Sequence, residues 1–246
     1  MNQQSTLDAM RNLRLTGMAD RYEAIIQLPA HQKPDESILI GQLVEAEFLH
    51  RNHRKTQTSV KNAKFRYQAN LNDVICTPQR NLSKEIISSI SDCSFIDRGE
   101  NIIITGATGC GKSFLASAIG YQACIKGKRV AYLSLPKLFA KIKSDKLDGA
   151  FRKDIDRLEN KNLVILDDWG LTPLDTQARL VLLQIMEDRH NRYSTIIVSQ
   201  LPVAAWHQYI NENTIADAIL DRIIHQAHRI ELTGESLRKM SKINQQ

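Results

Sequence analysis

The chain lacks the features that mark several common classes of protein. No apolar run approaches the roughly 18 residues that a membrane-spanning helix needs, and no secretory h-region follows the polar start Met-Asn-Gln-Gln. Four cysteines are present, with no C-x-x-C pair and no histidine at zinc spacing: Cys76, Cys93, Cys110 and Cys124. We therefore expect free thiols in a reducing compartment, and a cytoplasmic protein with no membrane partner.

Charge and length set broad limits on function. The chain has 246 residues, which allows one large domain or one domain with a smaller appendage. Its formal net charge is +6, and this modest excess favours an acidic partner such as nucleic acid. No internal repeat and no low-complexity segment is visible.

Glycine is scarce in the first part of the chain, where only Gly17 and Gly41 occur before residue 70. Apolar residues recur there at helical rather than strand spacing, as in Leu7, Met10 and Leu13. We therefore predict a small all-α domain over residues 1–69, with a second domain over residues 70–246.

The second predicted domain contains a complete phosphate-loop motif, G-x-x-x-x-G-K-[ST], at residues 106–113. An apolar strand candidate precedes it and a helix candidate over 114–125 follows it, which is the order that the mechanism requires. Its glycines allow successive N–H groups to face one phosphate, its lysine reaches the β- and γ-phosphates, and its serine hydroxyl ligates Mg²⁺. The alternative is a glycine turn beside a surface lysine. The predicted ATP-binding residues are Gly106, Ala107, Thr108, Gly109, Cys110, Gly111, Lys112 and Ser113.

A pair of acids follows a second apolar strand, residues 163–166. Carboxylates at the end of a buried strand are costly unless a cation or a bound water uses them. Beside a phosphate loop we assign Asp167 to the Mg²⁺ shell and Asp168 to orienting the attacking water. The alternative is a turn signal, because Trp169-Gly170 follows.

Strands and helices alternate from about residue 70, which predicts a doubly wound α/β fold with a five-stranded parallel sheet between helices. The clearest helix candidate is 175–190. The strand candidates are residues 101–105, 129–134, 162–167, 195–199 and 229–232.

Three further groups are candidates for sensing or stabilising the γ-phosphate. Ser199 and Gln200 end the fourth strand, where a polar side chain holds water against the phosphate. Arg222 lies late in a helix and could reach the nucleotide of a neighbouring subunit, or instead form a surface ion pair with Asp217 or Asp221. Arg238 is a third possible phosphate contact.

Two basic segments are candidates for binding DNA phosphates. The first contains no acid between residues 51 and 66, and the second is a helix whose lysines face outward. The alternative for each is an ordinary solvated helix face. The candidate DNA contacts are Arg51, Arg54, Lys55, Lys61, Lys64, Arg66, Lys137, Lys141, Lys143 and Lys146.

The chain resembles the IstB family, ATP-binding helper proteins of bacterial insertion sequences that are related to the helicase loader DnaC within the AAA+ ATPases. The resemblance runs over nearly the whole length. Short motifs carry it, and they lie at residues 13–19, 43–47, 63–66, 98–101, 166–174, 188–189, 199–202, 220–223 and 234–238.

The resemblance implies an ATPase that assembles on double-stranded DNA in its ATP state, bends it, selects a target site and stimulates a partner transposase. It implies a homo-oligomer with ATP between subunits, Arg222 as arginine finger, Ser199 or Gln200 as first sensor and Arg238 as second sensor. Two residues depart from the family pattern: Asp168 where Glu is usual, and Ser113 where Thr is frequent. Few residues follow the last strand, so a full helical lid is not expected.

Three other functions fit parts of this pattern. A DnaC-type helicase loader shares the same core and differs in its partner. A small-molecule P-loop kinase needs an acceptor pocket and a lid arginine cluster. A nucleotide-gated DNA-binding module would bind ATP with little hydrolysis, so turnover separates it from an ATPase.

Overall fold

The computed structural model describes residues 2–144, 155, 157–225 and 227–237. The chain forms two compact units, residues 1–58 and 59–246. The division therefore falls within a long helix, before the expected boundary after residue 69. It does so because Val60, Ala63 and Phe65 pack in the core of the second unit.

The first unit is built from helices, as its glycine-poor sequence predicts. A short 3-10 turn, Ala30–Gln32, precedes the third helix. Its α-helices are α1 (Gln3–Asn12), α2 (Thr16–Ile26) and α3 (Glu36–Ala63), the last of which continues into the second unit.

Gly17 and Glu47 explain how α2 and α3 approach each other in the first unit. A Cβ built on Gly17 would lie 2.5 Å from the carbonyl oxygen of Ala46, so only glycine allows this spacing. The buried Glu47 carboxylate accepts a 3.2 Å hydrogen bond from the backbone N–H of Met18. Two motifs of the family resemblance thus meet at one packing contact.

The second unit contains a five-stranded parallel sheet with the order β2-β3-β4-β1-β5. This confirms the predicted α/β fold class. The observed strands begin or end within two residues of the predicted ones. They are β1 (Asn101–Gly106), β2 (Val130–Ser134), β3 (Leu163–Trp169), β4 (Ser194–Ser199) and β5 (Ala227–Leu232).

Helices of the second unit connect these strands and cover the sheet. Three 3-10 turns, Leu71–Asp73, Pro78–Arg80 and Val203–Ala205, accompany them. The α-helices among the described residues are α4 (Lys84–Ser91), α5 (Ser94–Asp97), α6 (Lys112–Ile125), α7 (Leu135–Ser144), α8 (Thr176–Arg189), α9 (Trp206–Ile210) and α10 (Asn213–Ile224).

Each face of the sheet has its own hydrophobic core. In β1, Ile102 and Ile104 belong to the core that includes Leu115 of α6, whereas Ile103 faces the core that includes Leu182 of α8. Successive residues of a strand point to opposite faces, so an uninterrupted apolar run means burial on both.

The described residues contain no candidate membrane span and no disulfide. None of their helices combines the length and apolar character needed to cross a bilayer. The four cysteines are free thiols, as predicted, and burial raises the pKa of Cys93 and of Cys124 to about 11.

Candidate nucleotide-binding site

Polar groups from three strands meet at the carboxyl edge of the sheet. The phosphate loop follows β1, the acid pair lies at the end of β3, and Gln200 follows β4. They line one cavity of about 360 Å³. In open parallel sheets this edge is the usual place for ligands.

Glycine conformation shapes the phosphate loop. Gly106, Gly109 and Gly111 have φ values of 141°, 87° and 90°, in the region that favours glycine. A Cβ on Gly106 would lie 2.2 Å from the carbonyl oxygen of Leu232 in β5, so a side chain cannot be accommodated there. The loop leads directly into α6, whose positive N-terminal end favours an anion.

The Lys112 side chain folds back over the loop. Its Nζ donates hydrogen bonds of 2.8 Å and 2.7 Å to the carbonyl oxygens of Gly106 and Ala107. Burial lowers the pKa of Lys112, although Cys110 and the nearby Asp167 and Asp168 carboxylates oppose this shift. Lys112 lines the cavity, where an ammonium group suits an anionic ligand.

Asp167 is the most deeply buried acid of the site, with 1% of its side chain exposed. Its Oδ1 accepts a 3.1 Å hydrogen bond from the Ser113 hydroxyl, and its Oδ2 accepts one from the Tyr132 hydroxyl. Burial and the Asp167 carboxylate both raise the pKa of Tyr132, which keeps its hydroxyl a proton donor. Sequence patterns gave no sign of the role of Tyr132.

A β-bulge brings the two acids together. The register passes from Leu166 opposite Ile197 to Trp169 opposite Ser199, so two residues of β3 face one residue of β4. Asp168 adopts a left-handed conformation with φ of 63°. In a regular strand the side chains of Asp167 and Asp168 would point to opposite faces of the sheet. The bulge allows both to contact the same partner.

That partner is Arg66, which was expected among the DNA contacts. Its Nη1 lies 3.0 Å from Asp167 Oδ2 and 3.2 Å from Asp168 Oδ2. Burial opposes charge on Arg66, but the hydrogen bond to Asp167 and the charge of Asp168 outweigh it and raise the pKa above its usual value. Arg66 is not on the predicted helical ridge, because α3 ends at Ala63.

Ser199 and Gln200 differ in what they contact. The Ser199 hydroxyl, 1% exposed, donates to the carbonyl oxygen of Trp169 at 2.9 Å and accepts from the N–H of Leu201 at 3.0 Å. Gln200 is exposed, and its Oε1 accepts a 2.7 Å hydrogen bond from the Thr108 hydroxyl. Of the two candidate sensors, Gln200 therefore has its side chain in contact with the phosphate loop.

Two segments outside the motif hold the phosphate loop in place. Arg80 donates a 2.6 Å hydrogen bond to the carbonyl oxygen of Cys110. The backbone N–H of Leu237 donates a 3.0 Å hydrogen bond to the carbonyl oxygen of Gly109. The backbone N–H of Thr233 donates to the carbonyl oxygen of Arg80. The residues after β5 thus support the loop, whereas the motif at residues 234–238 was expected to contribute Arg238 as a phosphate contact.

Arg222 lies at the opposite edge of the sheet. The side chain of Asn101, the first residue of β1, donates to the backbone carbonyl of Arg222, whereas the phosphate loop follows the last residue of β1. The Arg222 guanidinium pairs with Glu187 at 3.1 Å and lines a separate cavity of about 420 Å³. It cannot reach the nucleotide site of its own chain.

The remaining basic candidates lie on exposed faces of two helices. Arg51, Arg54 and Lys55 are exposed on the part of α3 that belongs to the first unit, and Lys61 is exposed on the part that belongs to the second. Arg51 also pairs with Glu47 at 2.6 Å, which reduces the positive charge that it offers.

On α7, Lys137, Lys141 and Lys143 are exposed, while Phe139 and Ile142 are buried against the core. Lys143 lies 3.5 Å from Asp175. Lys64 is exposed beyond the end of α3. Lys146 and Arg238 lie outside the described residues.

The sheet order, the phosphate loop and the buried acid beside it define an ATP-binding protein of the AAA+ class. The model of the family described as IstB-like ATP binding protein matches residues 8–245, and the chain belongs to this family.

Two relatives named as insertion sequence ATP-binding proteins align over most of their length. One, y4pL of Sinorhizobium fredii, is 43% identical over 95% of this chain and 96% of its own. Another, from the insertion sequence IS1162 of Pseudomonas fluorescens, is 36% identical over 82% of this chain and 88% of its own.

Solved structures share the fold of about two thirds of this chain. The crystal structure of DnaI superposes with a TM-score of 0.56 at 21% identity, covering 69% of this chain and 90% of that one. The DnaC helicase loader gives 0.52 at 20% identity, covering 68% of this chain and 98% of that one. At this identity the likeness concerns the fold.

Proposed function

We propose that this protein hydrolyses ATP with Mg²⁺ at the carboxyl edge of its sheet. The observation that carries the proposal is that Lys112, Ser113, Asp167, Asp168 and Gln200 line one cavity beside a phosphate loop. In P-loop ATPases such groups position the nucleotide and stabilise the charge of the transferred phosphoryl group.

The residues present fit a magnesium ion. Ser113 Oγ and Asp167 Oδ1 lie 3.1 Å apart, and hard oxygen donors of this kind suit Mg²⁺, which takes one or two protein ligands beside phosphate oxygens. Ser113 and Asp167 would hold the ion, which would neutralise charge on the β- and γ-phosphates. Lys112 exchanges its loop carbonyl partners for phosphate oxygens.

Asp168 and Gln200 complete the hydrolytic step. Asp168 has 18% of its side chain exposed, so it meets water that the buried Asp167 does not. We assign Asp168 to orienting the attacking water and Gln200 to contacting the γ-phosphate. Ser199 keeps the end of β4 in position through its bonds to backbone groups.

We further propose that ATP lies between subunits of a homo-oligomer. Arg222 is remote from its own phosphate loop, so a contact with nucleotide must be made to a neighbouring copy. A guanidinium supplied in this way stabilises transition-state charge. Arg238 remains a candidate second sensor, and it lies outside the described residues.

The oligomer is proposed to bind and bend double-stranded DNA through phosphate contacts, with weak sequence preference and hydrolysis coupled to DNA. The candidate contacts are those of α3 and α7 together with Lys64 and Lys146. The names of the relatives support a role in insertion-sequence transposition, in which the complex selects a target site and stimulates a partner transposase. A family match that includes the first unit favours this over helicase loading.

The test is DNA binding as a function of salt, with ATP and with ADP. Wild type should bind duplex DNA more tightly with ATP, and its affinity should fall steeply with salt, by a slope of about −0.9 per phosphate contact. Replacing Lys137 and Lys141 by alanine should reduce the slope by about two. Replacing Lys84 and Lys126, which are exposed outside the candidate surfaces, removes the same charge and should leave the slope unchanged.

A further inference from the structure

Arg66 holds the acid pair by a single guanidinium nitrogen. Nη1 is within 3.2 Å of an oxygen on each carboxylate, and Asp167 is almost entirely buried. Two adjacent carboxylates, one of them buried, repel each other unless a cation lies between them. In this structure the cation is a side chain of the chain itself.

Two aromatic anchors hold Arg66 in this position. Phe65 packs against the core and meets Tyr132 edge to face at 6.3 Å between ring centroids. On the other side, the ring of Tyr67 lies 6.2 Å from that of Phe114, in the first turn of α6. The backbone of Arg66 is therefore fixed, while its side chain, 41% exposed, can turn into solvent.

A divalent ion bound beside Ser113 would share the Asp167 carboxylate with Arg66, because Ser113 contacts Oδ1 and Arg66 contacts Oδ2 of that residue. Asp167 accepts hydrogen bonds from Ser113, Tyr132 and Arg66. Ser113 and Asp167 are the two groups proposed to hold the magnesium ion. A divalent ion held there would stand close to the Arg66 guanidinium, and like charges at that separation repel.

We propose that Arg66 is a built-in counterion, which occupies the acid pair while no divalent cation is bound and is displaced when a magnesium–nucleotide complex binds. The inference rests on the proposed nucleotide function. It assigns Arg66 opposite effects in two conditions. Without metal, Arg66 screens the carboxylates from the phosphates and favours nucleotide binding; with Mg²⁺, it competes with the ion and opposes binding.

The test is the affinity of the full chain for a fluorescent ADP analogue, measured with excess EDTA and with Mg²⁺. Arg66→Gln should bind the analogue more weakly than wild type in EDTA and more tightly in Mg²⁺. The dissociation constant in EDTA divided by that in Mg²⁺ should be larger in Arg66→Gln than in wild type, by about tenfold or more. A change of this size is equivalent to removing one close charge interaction. Lys126→Gln removes the same charge at an exposed position beyond the end of α6, outside the candidate surfaces, and should keep the wild-type ratio within about twofold.

Thermal unfolding without nucleotide gives a second measurement. Arg66→Gln should melt below wild type, and Mg²⁺ alone should raise its melting temperature by more than it raises that of wild type. If Arg66→Gln does not fold, Arg66→Lys can be measured instead, because lysine keeps the positive charge but replaces the guanidinium by a single ammonium group. Its ratio of dissociation constants should lie between that of wild type and the roughly tenfold change expected when the charge is lost.

The outcomes separate the two proposals. An unchanged ratio in Arg66→Gln, or equal weakening with and without metal, overturns the counterion role even though nucleotide binds. Wild type that binds the analogue in neither condition overturns the proposed nucleotide function, and with it the basis for this inference. A reversed sign of effect between EDTA and Mg²⁺ supports the role and is not expected of a merely structural residue.

Discussion

Thr108 donates a 2.7 Å hydrogen bond to Gln200, which ties the tip of the phosphate loop to the residue that follows β4. Gln200 therefore touches the segment that would surround the phosphates. Its neighbour Ser199 is buried and bonded to backbone groups on either side. We therefore expect these two adjacent polar residues to differ in their effects, with Gln200 acting on turnover and Ser199 on stability.

Replacing Gln200 by alanine should lower ATP turnover at least about tenfold, because the side chain proposed to contact the γ-phosphate is lost. Its free energy of unfolding should change little, since the side chain is exposed. Replacing Ser199 by alanine should instead cost about 1–2 kcal/mol of unfolding free energy, since it leaves buried backbone groups without a partner. Turnover assays and urea unfolding of both variants measure this contrast, and the reverse pattern would contradict it.

Asp168 should be needed for hydrolysis but not for binding. Asparagine tolerates the left-handed backbone at this position, so Asp168→Asn changes the charge with little strain. We expect turnover to fall by about 100-fold or more, with nucleotide affinity reduced far less. Single-turnover hydrolysis beside equilibrium binding measures the two effects.

Asp73→Asn is a matched control, because it makes the same substitution in the short 3-10 turn Leu71–Asp73 rather than in the acid pair. Its turnover should equal that of wild type. Unchanged turnover in Asp168→Asn would favour a nucleotide-gated binding module over an ATPase.

Local sequence was sufficient where one segment supplies the whole structure. The phosphate loop, the apolar run of β3 and the five strands follow from spacing and from apolar runs that lie within single segments. The position of Arg66 could not be predicted from local sequence, because Asp167, which it contacts, lies 101 residues further along the chain. Its position also depends on where α3 ends. Its position in a basic segment indicated DNA, whereas tertiary structure brings it to the acid pair.

The bulge in β3 was also beyond sequence reasoning. Asp167-Asp168 in a regular strand would point to opposite faces, and nothing in the residues on either side marks the extra residue. Arg222 was assigned from its position in a helix, and only the sheet shows that it lies at the edge away from its own phosphate loop.

Glu100 should make stability depend on pH. Hydrogen bonds from Arg98 and then His228 lower the pKa of Glu100 to about 2. A carboxylate with a lowered folded pKa stabilises the protein above its unfolded pKa, near 4.3, and loses that effect as pH falls towards 2. Wild type should therefore exceed Glu100→Gln by about 1 kcal/mol at neutral pH, with the gap closing between about pH 4 and pH 2.

Urea unfolding across this pH range measures the gap. Glu231→Gln serves as the control, because Glu231 is exposed on the same strand as His228 and its side chain has no partner among the described residues. The difference in unfolding free energy between Glu231→Gln and wild type should not change with pH. A Glu100→Gln gap that is constant down to pH 2.5 would show that the ion pairs do not carry the effect.

Mixing two inactive variants should restore hydrolysis if Arg222 acts on a neighbouring copy. Lys112→Ala removes the nucleotide site but keeps the arginine, and Arg222→Ala keeps the site but lacks the arginine. In a 1:1 mixture of head-to-tail subunits, about a quarter of the interfaces combine an intact site with an intact arginine. ATP turnover should therefore recover to about a quarter of the wild-type rate under assembly conditions.

Lys126→Ala, an exposed change beyond the end of α6, controls for loss of a positive charge and should be fully active alone. A mixture that stays as inactive as its components, while light scattering shows that it assembles, would exclude action across the interface. Because Arg222 lies at the edge away from its own phosphate loop, a variant Arg222→Ala with normal turnover would leave the arginine with no role at either site and reduce its pairing with Glu187 to a local contact.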